Sequence, residues 1–240
     1  MAINQSKSKE IFFLSGNALK LMALVFMTID HAGMYIFDNN IYMRIIGRLA
    51  FPIFAYMIAE GCRYTRSKAR YLITMLLFAV VCQAVTSWVT KTLYMCIFVT
   101  FALSILLIFS YDYMIKRRTL WSFLLFFITL GAIIVLAEVL TYVLPKNLYY
   151  DIDYGIFGIL CPFFVYLGFN KATKLALCAV GLIFLSLTHG YVQWFCLFAL
   201  IPLCLYSGKR GKLKLKYLFY IYYPLHIAII YQIAYYVWRL

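Results

Sequence analysis

Long apolar stretches, each bounded by a short polar or basic loop, follow one another along almost the entire chain. Uninterrupted apolar stretches of roughly 17–25 residues are typical of helices that cross a bilayer. The pattern predicts about nine such helices, which we place at residues 18–37, 44–62, 69–90, 93–113, 119–144, 154–170, 172–188, 191–206 and 217–238. The predicted fold class is therefore all-α, a polytopic bundle of transmembrane helices.

Composition supports a membrane protein. The 240 residues are 66% hydrophobic and 12% charged, against about 25% charged residues in soluble proteins. A bilayer, rather than a soluble core, accommodates this much apolar surface. We find no linker and no internal repeat, so we expect one integral membrane domain, 1–240, with a short polar segment at 1–17. The first apolar run lacks a small-residue cleavage site, which predicts an uncleaved first span.

The basic residues indicate a direction across the membrane. Most of the 22 Lys and Arg lie in alternate loops: before the first predicted helix, after the second, fourth and sixth, and before the ninth. The positive-inside rule makes that side cytoplasmic, with the N-terminus inside and the C-terminus outside. Topology then explains most of the net charge of +14, and we expect no nucleic-acid partner.

Asp30 and His31 stand side by side inside the first apolar stretch. An ionised aspartate at mid-membrane costs roughly 2.5–3.5 kcal/mol on insertion scales, so we expect a partner for it. Consecutive helical residues point about 100° apart, so adjacency does not make these two a hydrogen-bonded pair. We expect both to flank one cavity, with partners on other helices. Arg48, in the second predicted helix, is the expected partner of Asp30.

Glu60 and His226 are the other notable ionisable residues within apolar stretches. Glu60 is followed three residues later by Arg63, and the two are compatible with a simple interfacial ion pair. His226 follows Tyr222 and Tyr223 by about one turn, and a lone histidine of this kind is commonly a packed core residue. Two histidines, an aspartate and an arginine in one small bundle nevertheless favour function.

Several residues predicted to lie on the outer side allow two interpretations. Asp38, Asp151 and Asp153 fall in loops, and Glu138 lies toward the outer end of the fifth predicted helix. They are either ordinary solvated carboxylates or an acidic mouth that attracts an amine or another cation. His189 is expected to be structural. The seven cysteines include no C-x-x-C pair, so we expect neither a metal site nor a disulfide framework.

The ionisable residues fit general acid–base chemistry better than other catalytic patterns. The sequence contains no H-E-x-x-H, P-loop or G-x-S-x-G motif. A histidine can deprotonate an amine or a hydroxyl as a general base. The basic residues Arg63, Arg66, Lys209 and Arg210 are candidates for binding the phosphates of an acyl carrier such as acetyl-CoA. The alternative for these four is a topology signal or contact with anionic lipid.

Four blocks of the sequence resemble the TraX family, in order and over almost the whole chain: MALVFMTIDHAGMYI, RIIGRLAFPIFAYMIAEGCRYTRSKARYL, DYGIFGIL and LYSGKRG…KYLFYIYYPLHIAII. The family is named for a membrane protein that N-acetylates conjugative pilin subunits, and it looks distantly similar to transmembrane acyltransferases. The resemblance implies an acetyl-CoA-dependent acetyltransferase of the bacterial cytoplasmic (inner) membrane. The motifs that carry the resemblance contain six candidate site residues of this sequence: Asp30, His31, Arg48, Glu60, Arg63 and His226.

The resulting hypothesis makes His31 the general base, oriented or electrostatically tuned by Asp30, with Arg48 balancing that carboxylate. His226 is assigned as a second acid or base, or as the group that polarises the thioester. The acceptor is an amine or hydroxyl of a peptide, glycan or lipid, and transfer is either direct or through an acetyl-histidine. A proton-coupled transporter or flippase is the competing class, and a non-catalytic assembly protein is the third. The absence of a two-fold repeat argues against a transporter.

Overall fold

The computed structural model describes residues 13–211 and 216–238. Most of the polar segment 1–17, with Lys7 and Lys9, and the basic residues Lys212 and Lys214 lie outside the described residues. The helices are α1 Gly16–Tyr35, α2 Ile41–Gly47, α3 Ala50–Tyr64, α4 Lys68–Thr90, α5 Ile97–Arg117, α6 Leu120–Ile134, α7 Leu140–Val143, α8 Gly155–Leu167, α9 Lys171–Thr188, α10 Leu200–Cys204 and α11 Lys216–Val237.

Several predicted helices are subdivided. A π-helical segment, Val135–Val139, joins α6 to α7, and a 3-10 segment, Tyr191–Ala199, precedes α10. The connections contain a short 3-10 turn, Lys146–Leu148, and two strands, β1 Tyr94–Met95 and β2 Asp151–Ile152, which pair in parallel. These strands were not predicted, because two-residue strands leave no periodic pattern in a sequence.

The predicted helix 44–62 is divided into α2 and α3 at Arg48 and Leu49. Proline has no backbone N–H, so Pro52 cannot donate to the carbonyl four residues earlier, which is that of Arg48. The break therefore falls where the helical hydrogen-bond ladder loses a donor. It also sets the position of Arg48 and of α2, which contribute to the charged centre described below.

Length and hydropathy identify a polytopic membrane protein. Within the described residues, five helical stretches are long and apolar enough to cross a bilayer: Ile41–Tyr64, Lys68–Thr90, Ile97–Arg117, Leu120–Val143 and Lys171–Thr188. The apolar helices Gly155–Leu167 and Tyr191–Cys204 are shorter. The predicted all-α transmembrane bundle is thus confirmed.

Helix α3 is the centre of the bundle. Most of its residues from Ala50 to Cys62 are buried, and it packs against α1, α5, α8 and the Tyr191–Ala199 segment. Helix α4 packs against α5 and α11, and α11 packs against α1 and α4. This arrangement places α4 and α11 across from α1 and α3, and a cavity lies between the two pairs.

Candidate functional site

The cavity has a volume of about 900 Å³ and carries different chemistry at its two ends. One end, which we call the basic mouth, is lined by Lys20, Arg66, Arg70 and Arg210. The other, which we call the polar end, is lined by Asp30, His31, Asp153 and Tyr154. The wall between them is mainly apolar and includes Leu24, Met27, Phe54, Met75 and Phe98.

The basic mouth is assembled from three parts of the chain. The N-terminus of α1 is tied to the segment after α10, because the amide of Gly16 donates to the carbonyl of Lys209 at 2.8 Å. The amide of Asn17 donates to the carbonyl of Arg210 at 3.0 Å. These bonds satisfy amides that a helix leaves free at its first turn. They also bring Arg210 beside the α3–α4 loop, which supplies Arg66.

Two of the four residues predicted to bind phosphate line the cavity, and two do not. Arg66 and Arg210 are in the wall. Arg63 is directed elsewhere, and its Nη2 donates to the carbonyl of Gly168 at 2.7 Å and to that of Tyr166. The last carbonyls of α8 have no partner within their own helix, which explains why a nearby guanidinium binds them. Lys209 contributes its backbone carbonyl to the bond with Gly16.

Glu60 lines the cavity, but its partner is not the one expected. Lys174, on α9, donates to Glu60 Oε1 at 2.5 Å, and both side chains are buried. Of the two interpretations of Glu60, the simple ion pair with Arg63 is therefore not the one that the structure shows. The physical reason is that Arg63 is used by the end of α8, whereas tertiary packing brings a lysine 114 residues away onto Glu60.

Asp30 lies at the centre of a buried ionic cluster. Arg48 Nη2 donates to Asp30 Oδ1 at 2.7 Å and to Oδ2 at 3.0 Å, as predicted for this pair. Arg44 Nη1 donates to Oδ2 at 2.6 Å, so a second arginine shares the carboxylate. Gly47 allows the helices to approach, because a Cβ atom there would lie 2.2 Å from Asp30 Cβ. Two guanidinium groups thus offset the cost of placing a carboxylate in this apolar bundle.

Two of these partners were not in the predicted site. Arg44 precedes Arg48 by four residues, a spacing that puts both on one helix face, so the sequence contained a signal for it. Gln193, whose Oε1 accepts from Arg48 Nη1 at 3.2 Å, gave no signal because it lies 145 residues away in an apolar run. The guanidinium of Arg48 also lies 6.0 Å from the ring centre of Tyr154.

His31 and His226 form a direct hydrogen bond. His31 Nδ1 and His226 Nε2 are 2.8 Å apart, and His226 Nδ1 lies 3.0 Å from the carbonyl oxygen of Tyr222. A carbonyl only accepts, so His226 Nδ1 carries a proton. In neutral His226 the Nε2 atom is then an acceptor, and His31 Nδ1 is the donor. This tautomer leaves His31 Nε2 with a lone pair, on a residue that lines the cavity.

The two histidines lie next to the ionic cluster. His226 is buried, and Arg44 and Arg48 are bonded to Asp30, which directly precedes His31. His31 obtains its orientation from His226, whereas both Asp30 oxygens are bonded by the arginines. Asp30 and His31 therefore flank one cavity, as expected, and have separate partners.

The α1–α11 interface reinforces this arrangement above and below the histidines. Thr28 Oγ1 and the Tyr222 hydroxyl are 2.6 Å apart. One turn beyond His31, the rings of Tyr35 and Tyr231 lie 4.6 Å apart. These contacts fix the rotation of α11 about its axis, because they join the two helices at three successive levels. They keep His226 facing His31.

The remaining polar residues of the predicted outer side separate into distinct environments. Asp38 and Asp151 are exposed. Glu138 accepts from the Ile156 amide at 3.4 Å. His189 Nδ1 lies 2.9 Å from Thr188 Oγ1 at the end of α9. Asp153 differs from the others because it is part of the cavity wall.

The described residues contain no group of three or more His, Cys, Asp or Glu side chains that is arranged to hold a metal ion. The groups that face the cavity are instead a base, carboxylates and, at the other end, several cations. Such a set can bind an anion at the mouth and move a proton at the polar end.

Fold and site together define a polytopic helical membrane protein with an ionisable centre that opens into an internal cavity. The family described as "TraX protein" matches residues 15–234. The chain therefore belongs to the TraX family, and the resemblance inferred from its motifs is confirmed.

Two relatives cover most of the chain. One is the uncharacterized protein RP591 of Rickettsia prowazekii (strain Madrid E), 29% identical over 201 residues, which are 84% of this chain and 73% of that protein. The other is the probable fimbrial assembly protein FimC, serogroup H1, of Dichelobacter nodosus. It is 25% identical over 256 residues, covering 93% of this chain and 96% of that protein. No solved structure matches the chain.

Proposed function

We propose that this protein transfers an acetyl group from cytosolic acetyl-CoA to an amine or hydroxyl of an acceptor at the far side of the cavity, in the bacterial cytoplasmic membrane. The observation that carries the proposal is one continuous cavity that joins a basic mouth to His31. Family membership supports it, and so does the similarity to a probable fimbrial assembly protein of Dichelobacter nodosus, which fits a peptide acceptor of pili.

The basic mouth is suited to the phosphates of coenzyme A. Arg66, Arg70 and Arg210 are exposed side chains in its wall. Within the described residues, none of these three arginines forms an ion pair. Guanidinium groups bind phosphate oxygens through paired hydrogen bonds. The pantetheine arm would then follow the apolar wall toward His31, which lies eleven positions after Lys20, or roughly 16 Å along α1.

His31 Nε2 is the proposed general base. It takes a proton from the acceptor nitrogen or oxygen, which attacks the thioester carbonyl. The new N–C or O–C bond forms as the C–S bond breaks, and the same proton passes from His31 to the departing CoA sulfur. His226 is a positioning residue in this scheme, because its bond to His31 Nδ1 selects the tautomer that leaves Nε2 unprotonated.

The test uses purified protein in nanodiscs, titrated with acetyl-CoA, with binding measured by calorimetry and CoA release measured with a thiol reagent. We expect saturable binding and slow thiol release by the native protein. His31→Ala is expected to bind acetyl-CoA and release little thiol, and His189→Ala serves as the control histidine. Intact thiol release in both His31→Ala and His226→Ala would refute the role of the histidines.

The competing function is proton-coupled transport, which the buried Asp30 and His31 beside a cavity also favour. Folded native protein that fails to bind acetyl-CoA would support it. Proton-dependent uptake of solute into vesicles without CoA is the corresponding direct measurement.

A further inference from the structure

The polar end of the cavity presents carboxylates, not guanidinium groups. Asp30 and Asp153 line the same cavity as His31. Arg44 and Arg48 are also among the described residues, but they are not part of the wall. Because Asp30 is bonded to both arginines and Glu60 to Lys174, Asp153 is the wall carboxylate that has no ion pair with a described residue, whereas the mouth carries exposed arginines. A phosphate-bearing donor fits the mouth, and a cation fits Asp153.

Backbone hydrogen bonds hold Asp153 in this position. Its amide donates to the carbonyl of Met95 at 3.1 Å, and its carbonyl accepts from Thr100 Oγ1 at 2.7 Å. The next two residues, Tyr154 and Gly155, have φ values of +63° and +54°. Successive residues in the left-handed region are uncommon, and such backbone geometry persists only where the surrounding structure enforces it. Both strands and α5 thus contribute to directing this loop into the cavity.

The two carboxylates differ in their partners. Asp30 accepts hydrogen bonds from two arginines. Asp153 Oδ1 accepts from the hydroxyl of Tyr94 at 2.8 Å. Within residues 13–211 and 216–238, no Lys, Arg or His lies at ion-pair distance from Asp153. Among the described residues, the side chain of Asp153 in the cavity wall is therefore bonded to a neutral group and to no cation.

The surroundings of Asp153 set its protonation. Burial raises the pKa of this loop carboxyl to about 6, while the hydrogen bond from Tyr94 and the charge of Arg48 act in the opposite direction. Asp30 and Asp151 add to the increase. The group is ionised at neutral pH, and it accepts a proton far more readily than an ordinary aspartate does.

The proton balance of acetyl transfer distinguishes the two possible acceptors. A hydroxyl gives up one proton, which His31 can pass to the CoA sulfur. A primary amine arrives as an ammonium ion and gives up two protons, so it requires a second proton acceptor near the base. The polar end provides His31 and Asp153 in one chamber.

We propose that Asp153 is the residue that binds the acceptor, as a primary ammonium ion, and that takes its first proton. The proposal rests on the acetyl transfer proposed above. Asp153 accepts one proton and leaves a neutral amine, which attacks the thioester carbonyl. The N–C bond forms, the C–S bond breaks, and the second proton passes through His31 to the sulfur. Asp153 then loses its proton to water, so each turnover releases one proton.

The experiment uses propylammonium and 1-propanol as probes, which have the same chain length and differ in charge. Their binding to the acetyl-CoA-loaded protein in nanodiscs is measured by calorimetry for native protein, Asp153→Asn and Asp151→Asn. Asp151 is a matched control because it lies two residues away and is exposed. We expect Asp153→Asn to weaken propylammonium binding by about tenfold or more. Asp151→Asn and the propanol measurements should show no such change.

A pH series and a second variant keep the test decisive. Propylammonium binding to native protein should strengthen as the pH rises through about 6, because Asp153 must be ionised. Tyr94→Phe removes the hydrogen bond to Asp153 but retains the carboxylate, so this variant should still bind propylammonium. It provides a second measurement at this site if Asp153→Asn does not fold. Absence of saturable ammonium binding, or equal binding by a folded Asp153→Asn, would overturn the proposal. Acetyl-CoA binding and His31-dependent thiol release in the same samples report separately on acetyl transfer.

Discussion

The two ends of the cavity use charged residues in different ways. At the polar end, two arginines are bonded to Asp30, and His226 is bonded to His31. At the basic mouth, Arg66, Arg70 and Arg210 form no ion pair with any described residue, and they extend from or beside loops. Fixed groups are what proton transfer requires, because the base must be positioned before the reaction. The three arginines, without an ion pair among the described residues, remain available to bind an anion.

Under the proposed function, this difference gives the two ends separate tasks. Loss of a group at the polar end should affect the rate or the stability of the protein. Loss of a cation at the mouth should affect the affinity for acetyl-CoA and leave the rate almost unchanged. Substitutions at each end can therefore test whether the two ends have different roles.

His31→Ala is expected to have the largest effect. Removing a general base typically lowers a rate by about 10²–10⁴-fold. Because His31 lies at the end of the cavity away from the mouth, the acetyl-CoA dissociation constant should change by less than about twofold. A time course of thiol release measures the rate, and calorimetry on the same sample measures the acetyl-CoA dissociation constant. A His31→Ala protein that retains the native rate would show that the polar end is not the reactive end.

Asp30→Asn tests how strongly the polar end depends on its ion pairs. The variant leaves Arg44 and Arg48 partly buried without a negative partner, which we expect to cost about 3–5 kcal/mol of stability. Thermal unfolding in nanodiscs should show a clear decrease in the midpoint. Asp38→Asn is the control, because that aspartate is exposed. Equal unfolding midpoints for the two variants would mean that the cluster contributes little to stability.

Gly47→Ala tests the close approach that forms the cluster. The new methyl group would lie 2.2 Å from Asp30 Cβ and 2.3 Å from Oδ1, so α1 and α2 must separate. Overpacking of this kind costs about 1–3 kcal/mol. Gly131→Ala is a matched control within α6, because its Cβ would meet nothing within 4 Å. An unfolding midpoint for Gly47→Ala as high as that of Gly131→Ala would contradict the packing argument.

Arg66→Ala and Arg210→Ala are expected to have the smallest effects. Each removes one exposed cation from the mouth, and we expect the acetyl-CoA dissociation constant to rise about three- to tenfold. The rate at saturation should remain near native, and the loss should shrink as salt is added. Arg63→Ala is the control, since Arg63 binds the end of α8. An equal loss of affinity in that variant would place the anion site outside the mouth.

The sequence alone indicated the class of protein and much of the site. Apolar run lengths predicted the helices because each bilayer crossing requires a stretch of fixed minimum length. Asp30, His31, Arg48 and His226 stood out because ionisable residues are costly in an apolar environment and need partners. The choice of Arg48 as the partner of Asp30 was correct, since the two lie on consecutive helices that form a local hairpin.

The tertiary structure decided which distant residues meet. Helical periodicity specifies the face on which a side chain lies, but not the neighbouring helix that the face contacts. The pairing of Glu60 with Lys174 and the bond from Arg48 to Gln193 therefore required the folded chain. The same holds for Asp153, which looked like its exposed neighbour Asp151 until β1 and β2 placed it in the cavity wall. Such contacts join residues far apart in sequence, and only the packing of the whole bundle determines them.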